Sequence, residues 1–116
     1  MTLFSILLPF SYCSDIGDRY IGEWQGVYDN IPIYVTIDEN TDNTYIVKIK
    51  KDGIKWSDAR GYAYLNKSDI FPLKNSCLIR ETNLYQVIIC YNKQTKNLEL
   101  TDEWLFSENI VLHKAN

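Results

Sequence analysis

A chain whose apolar and polar side chains alternate at every second position has few ways to fold. Only a strand half-buried in a sheet puts residues i and i+2 on one face. Here Ile31, Ile33, Val35 and Ile37 alternate with Pro32, Tyr34, Thr36 and Asp38. Tyr45, Val47 and Ile49 alternate with Ile46, Lys48 and Lys50, and Leu98 and Leu100 with Glu99 and Thr101. Each such stretch has one dry face and one wet face. Turn chemistry punctuates them: Asp29-Asn30, the polar run 39–43, Asp52-Gly53 and the run 92–97. The pattern predicts strands near 19–29, 31–39, 43–51, 54–65, 76–82, 84–91, 97–104 and 108–114, with 66–75, which contains Pro72, as the one irregular connection. No stretch past residue 17 holds a helical period. The expected fold is all-β: an antiparallel up-and-down meander of about eight strands, closed into a small barrel or strongly curved into a sheet. Closure is favoured because it removes unpaired edges.

Composition narrows the function. At 116 residues, with 46% hydrophobic and 14% aromatic residues, the chain makes one domain and is too apolar for disorder. A net charge of -3 and a pI near 5.0 lack the basic face of a nucleic-acid binder. A single His removes multi-His metal sites and mechanisms. No apolar run reaches the roughly 18 residues of a spanning helix.

Residues 3–10 are almost wholly apolar and the first charge is Asp15. This resembles the apolar core of a secretory signal, and also a bacterial lipoprotein signal in which small residues precede a lipid-bearing cysteine, here Cys13. The basic opening of such signals is absent, and Tyr12 stands where that family has a small residue. The alternative is a tail packed on the domain. Either way residues 1–17 form a leader or tail, and 18–116 a single barrel domain. Cys77 and Cys90 have twelve residues between them within one apparent hairpin. A turn centred near Asn83-Leu84 sets them opposite each other, within disulfide reach. The other possibility is two buried thiols. With these two paired, Cys13 is left for a lipid or a removed leader.

The first strand carries the one recognisable motif, Gly22-Glu23-Trp24, continuing Gln25-Gly26-Val27-Tyr28. It resembles the G-x-W of the lipocalin and calycin superfamily. That resemblance implies a small barrel in which Trp24 plugs one end and a cation near the last strand, here Lys114, lies over its ring. Gly22 and Gly26 would leave room for neighbouring backbone. The chain is shorter than typical lipocalins and has no room for their helix before the last strand.

The sequence contains no G-x-S-x-G, P-loop, H-E-x-x-H or dinucleotide fingerprint. His113 falls on the outward phase of the last strand. Asp102 and Glu103 are adjacent and point to opposite faces, and the other acids lie mostly in turns. Residues 38–44 are oxygen-rich but lack the glycine and terminal glutamate of a calcium loop. We therefore expect no catalysis, metal or cofactor. Nine Tyr and three Trp exceed what so small a core needs. Tyr34, Tyr62 and Tyr64 fall on the polar phase, the last two beside Arg60. Exposed Tyr and Arg are the composition of a protein contact; the same residues could instead line the interior or form surface ladders. The expected function is that of an exported binding protein in the periplasm or at the cell surface, of inhibitor or immunity type. Its partner would be another envelope protein, with a membrane tether through Cys13. The alternative is a carrier of a small apolar ligand inside the barrel. Oligomeric state is left open.

Overall fold

A computed structural model describes residues 16–51, 68–82, 86–102 and 109–115. Eight antiparallel strands follow one another around a closed barrel in chain order. They are β1 (Gly22–Tyr28), β2 (Ile31–Glu39), β3 (Thr44–Lys51), β4 (Ser68–Lys74), β5 (Cys77–Glu81), β6 (Gln86–Asn92), β7 (Asn97–Thr101) and β8 (Ile110–Lys114). The expected all-β meander is the observed fold.

Local chemistry sets the turns. Asp29 and Asn30 both take positive φ, 53° and 65°, as do Asn75 and Ser76, 51° and 68°. Two left-handed residues in a two-residue loop make a hairpin turn whose twist matches its strands. Between β6 and β7, Asn92 Oδ1 accepts from the amides of Gln94 (2.9 Å) and Thr95 (3.2 Å) and so organises that turn. The oxygen-rich segment 38–44 is also a hairpin turn: the Asn40 amide donates to Thr44 O at 3.1 Å and Asn40 Nδ2 to Thr44 Oγ1 at 2.9 Å.

The inward phase of every strand supplies the core. Ile33, Val35 and Ile37 on β2, Leu78 on β5, Val87 and Ile89 on β6, Leu98 and Leu100 on β7 and Leu112 on β8 are fully buried. Val47, Ile49 and Phe71 join them at 2% exposure or less. Burial of one such side chain contributes roughly 1.5–3 kcal/mol. Among the described residues, every buried side-chain nitrogen and oxygen has a hydrogen-bond partner.

The ladders are uneven. β1 pairs with β2, and β2 with β3, through seven residue pairs each. The β4–β5 ladder has two pairs, Leu73–Leu78 and Lys74–Cys77, and the β1–β8 ladder has two, Trp24–Lys114 and Gln25–His113. The drum is thus two four-stranded halves joined along two short seams.

One expectation is corrected. Residues 68–74, assigned by the pattern to an irregular connection, are strand β4. Pro72 obscured it, but it occupies the last pair of the β3–β4 ladder, opposite Thr44. A residue without an N–H is tolerated at such a boundary. The strand expected at 54–65 and the Asp52-Gly53 turn lie outside the described residues.

Candidate functional site

The two ends of the barrel differ by construction. The turns 29–30 and the β3–β4, β5–β6 and β7–β8 connections share one end. At the other end lie three short turns, the chain terminus after β8, and the segment leading into β1.

That second end is closed by residues immediately before β1. The Tyr20 side chain is fully buried. Its hydroxyl donates to Ser76 O at 2.6 Å and accepts from the Tyr91 amide at 3.0 Å, so one phenol ties the β4–β5 turn to β6. Its ring meets that of Tyr91 edge-on, 6.3 Å between centroids, and the Arg19 guanidinium lies 5.2 Å from the Tyr91 centroid. Burial raises the Tyr20 pKa, against lowering contributions from its bond to the Tyr91 backbone and from Arg19. Burial likewise raises that of Tyr45, helped by Asp18 and Glu39. Gly17 packs directly against the Tyr45 phenol, leaving no space for a side chain.

Trp24 is 2% exposed and its Nε1 donates to Tyr20 O at 2.9 Å. Lys114, its register partner on β8, holds Nζ 4.6 Å from the indole centroid and donates to Ile21 O at 2.6 Å. Gly22 has φ +136°, a conformation that other residues rarely adopt. A Cβ on Gly26 would stand 2.6 Å from Val111 O, so β8 crosses close over this position. These residues brace the drum.

Cys77 and Cys90 form a disulfide with Cα atoms 4.5 Å apart. That separation is typical of a directly opposed, non-hydrogen-bonded pair. The β5–β6 register is centred between 83 and 84, where the sequence placed its turn. The bond lies on the outer phase, since Leu78 and Ile89 beside it point inward.

At the end with the longer connections, the inward phase turns polar. Asp69, Arg80 and Asp102 share their strands' inward phase with Phe71, Leu78 and Leu100. Arg80 Nε and Asp69 Oδ2 form an ion pair at 2.9 Å, beyond the point where the β4–β5 ladder stops. Asp102 is 1% exposed, a buried acid that the alternation of its strand does not announce. Among the described residues no three His, Cys, Asp or Glu side chains gather into a metal site.

The candidate contact residues divide. Tyr34 is 41% exposed on the outer face of β2, opposite Gln25 on β1 and Lys50 on β3. Arg60, Tyr62, Tyr64 and Cys13 lie outside the described residues. His113 is exposed on β8, opposite Gln25. One row across the outer surface therefore runs His113, Gln25, Tyr34, Lys50. Next to it the sequence reading missed a groove over the β1–β8 seam. It measures about 750 Å³ and is lined by Gln25, Gly26, Val27, Pro32, Ile110 and Val111, with Asn109 and His113 at its edge. Val27 is 64% exposed and Val111 46%. Both are apolar residues on the outward phase, the one local signal available. Their proximity depends on the register in which β1 and β8 meet, which alternation does not fix. Comparison with protein-family models, curated proteins and solved structures finds no match.

Proposed function

We propose that this chain is a non-catalytic binding protein of lipocalin-like build that acts by contact with another protein through the outer face of β8, β1 and β2. The observation that carries the reading is a contrast of phases. The inward residues of the strands pack against one another, whereas Val27, Tyr34 and Val111, three of the most exposed large apolar residues, share one outward region beside an open groove. Ile70, 49% exposed, stands apart on β4. Clustered exposed apolar and aromatic side chains on a folded surface mark interaction sites. The inward apolar side chains of the described strands gather into one core cluster, which favours this reading over the carrier alternative, since a small barrel holds a ligand only where its own side chains leave space.

The same reading includes export, as an inhibitor or immunity-type protein in the periplasm or at the cell surface, with a lipid on Cys13 as tether. The Cys77–Cys90 bond supports it, because disulfides persist in oxidising compartments. The test is affinity capture from an envelope fraction followed by mass spectrometry, with wild-type chain beside Tyr34→Ala and Val27→Glu. The expected result is one polypeptide in stoichiometric yield, lost with the variants, and a lipid mass on Cys13. Equal capture by all three chains would sink the assignment to this face.

A further inference from the structure

We propose that the β1–β8 groove receives an extended, uncharged apolar segment of the partner polypeptide. This rests on the reading that the chain works by protein contact, and it names the chemistry of what is bound.

β1 continues to Tyr28 and β8 begins at Ile110, yet the two strands pair only at Trp24–Lys114 and Gln25–His113. The β4–β5 seam is equally short, but there the Asp69–Arg80 ion pair spans the stretch beyond the ladder. Over the β1–β8 seam the corresponding stretch is bordered by Val27, Ile110 and Val111 and opens into the groove.

None of the eight described lining residues is Asp, Glu, Lys or Arg, in a chain 23% charged. A charged ligand would lose hydration there without a counter-charge. The walls are Val27, Pro32 and Val111; the polar groups are the side-chain amides of Gln25 and Asn109, the latter positioned by a bond from Thr101 Oγ1 to its Oδ1 at 3.0 Å. Amides are both donors and acceptors, which is the chemistry of a peptide backbone. A purely apolar small molecule would cover these amides without bonding them, which costs free energy. An extended segment supplies both needs at once: apolar side chains on one phase and peptide groups between them. At about 750 Å³ the groove is within the range of ligand clefts.

The test titrates isotope-labelled chain with acetyl-Thr-Val-Thr-Val-Thr-amide and follows backbone amide resonances. Its comparators are acetyl-Glu-Val-Glu-Val-Glu-amide and cyclohexanol. Saturable shifts confined to residues 25–28 and 109–113 are expected, with affinity about tenfold or more weaker for the acidic peptide and for Val111→Glu. Val111→Glu sets a second carboxylate opposite Glu99 and lowers the thermal midpoint somewhat, so Val27→Glu, which faces Pro32 on an exposed position, is read beside it and is expected to weaken binding equally with its midpoint kept. Shifts elsewhere, no saturable response into the millimolar range, equal response to the acidic peptide, or tighter binding of cyclohexanol would each overturn the proposal. The two ideas fail separately. A partner captured by wild type and lost with Val27→Glu, together with silent peptides, removes the extended segment and keeps the face. Capture indifferent to Val27→Glu removes the face itself.

Discussion

Lys114 Nζ lies 4.6 Å from the centre of the Trp24 indole and donates to Ile21 O at 2.6 Å, so one cation joins the last strand, the first strand and the segment before it. Trp24 Nε1 completes the tie by donating to Tyr20 O at 2.9 Å. The closed end is held by this relay. Trp24→Ala is expected to lower stability by about 3–5 kcal/mol, as buried aromatic truncations do. Lys114→Met removes the cation and keeps the aliphatic stem, and should cost about 1 kcal/mol. Urea denaturation of both variants checks the order; equal losses would mean that the ring and the cation do not act as described.

The disulfide should stabilise by restricting the unfolded chain. Its loop, a sequence separation of 13, corresponds to about 3 kcal/mol in the chain-entropy treatment. Mild reduction, or the double change of Cys77 and Cys90 to Ala, should lower the unfolding free energy by that amount, seen as a lower denaturant midpoint at unchanged slope, and leave the far-ultraviolet spectrum of the strands in place. An unchanged midpoint would contradict the account.

Alkaline pH should unfold the chain earlier than its carboxylates or lysines alone would dictate. Burial raises the folded-state pKa of Tyr20 and of Tyr45. An unfolded tyrosine ionises near 10. Above that pH the unfolded state binds fewer protons than the folded state, so stability falls as pH rises through the folded values. Below it the contribution is fully present. Tyr20→Phe loses the bonds to Ser76 O and from the Tyr91 amide, costing about 1–3 kcal/mol at neutral pH. Its decline above pH 10 should be shallower than that of the wild type. Stability curves from pH 7 to 11 separate the two effects.

Gly26→Ala should destabilise by about 1–3 kcal/mol, because the added methyl meets Val111 O, a backbone atom that cannot swing aside. Gly22→Ala is strained for a different reason, the backbone at φ +136°. If Gly26→Ala is neutral by thermal denaturation, β8 does not cross where it is placed.

Much of this architecture was legible because period two survives wherever one sheet face is wet. β2 and β3 were readable residue by residue, and hairpin symmetry set Cys77 opposite Cys90, within disulfide reach. β4 was not readable. Its inward phase is Asp69, Phe71 and Leu73 while Ile70 and Pro72 point outward, so polarity no longer reports the face. Asp102 was not readable for a related reason: burial of an acid at a strand end depends on tertiary neighbours, not on alternation. Trp24 and Lys114 were placed together by a motif, whereas the Val27–Val111 groove is created where the chain's first and last strands meet. How far that pairing runs, and so which outward residues border the groove, is not carried by alternation.

The proposed recognition through the outer face of β8, β1 and β2 is tested most directly by native mass spectrometry of the purified chain mixed with a cell extract. The account predicts a complex with a second polypeptide that disappears when Val27 and Val111 are both changed to Glu. A small apolar molecule carried in stoichiometric amount, and retained by that double variant, would contradict it.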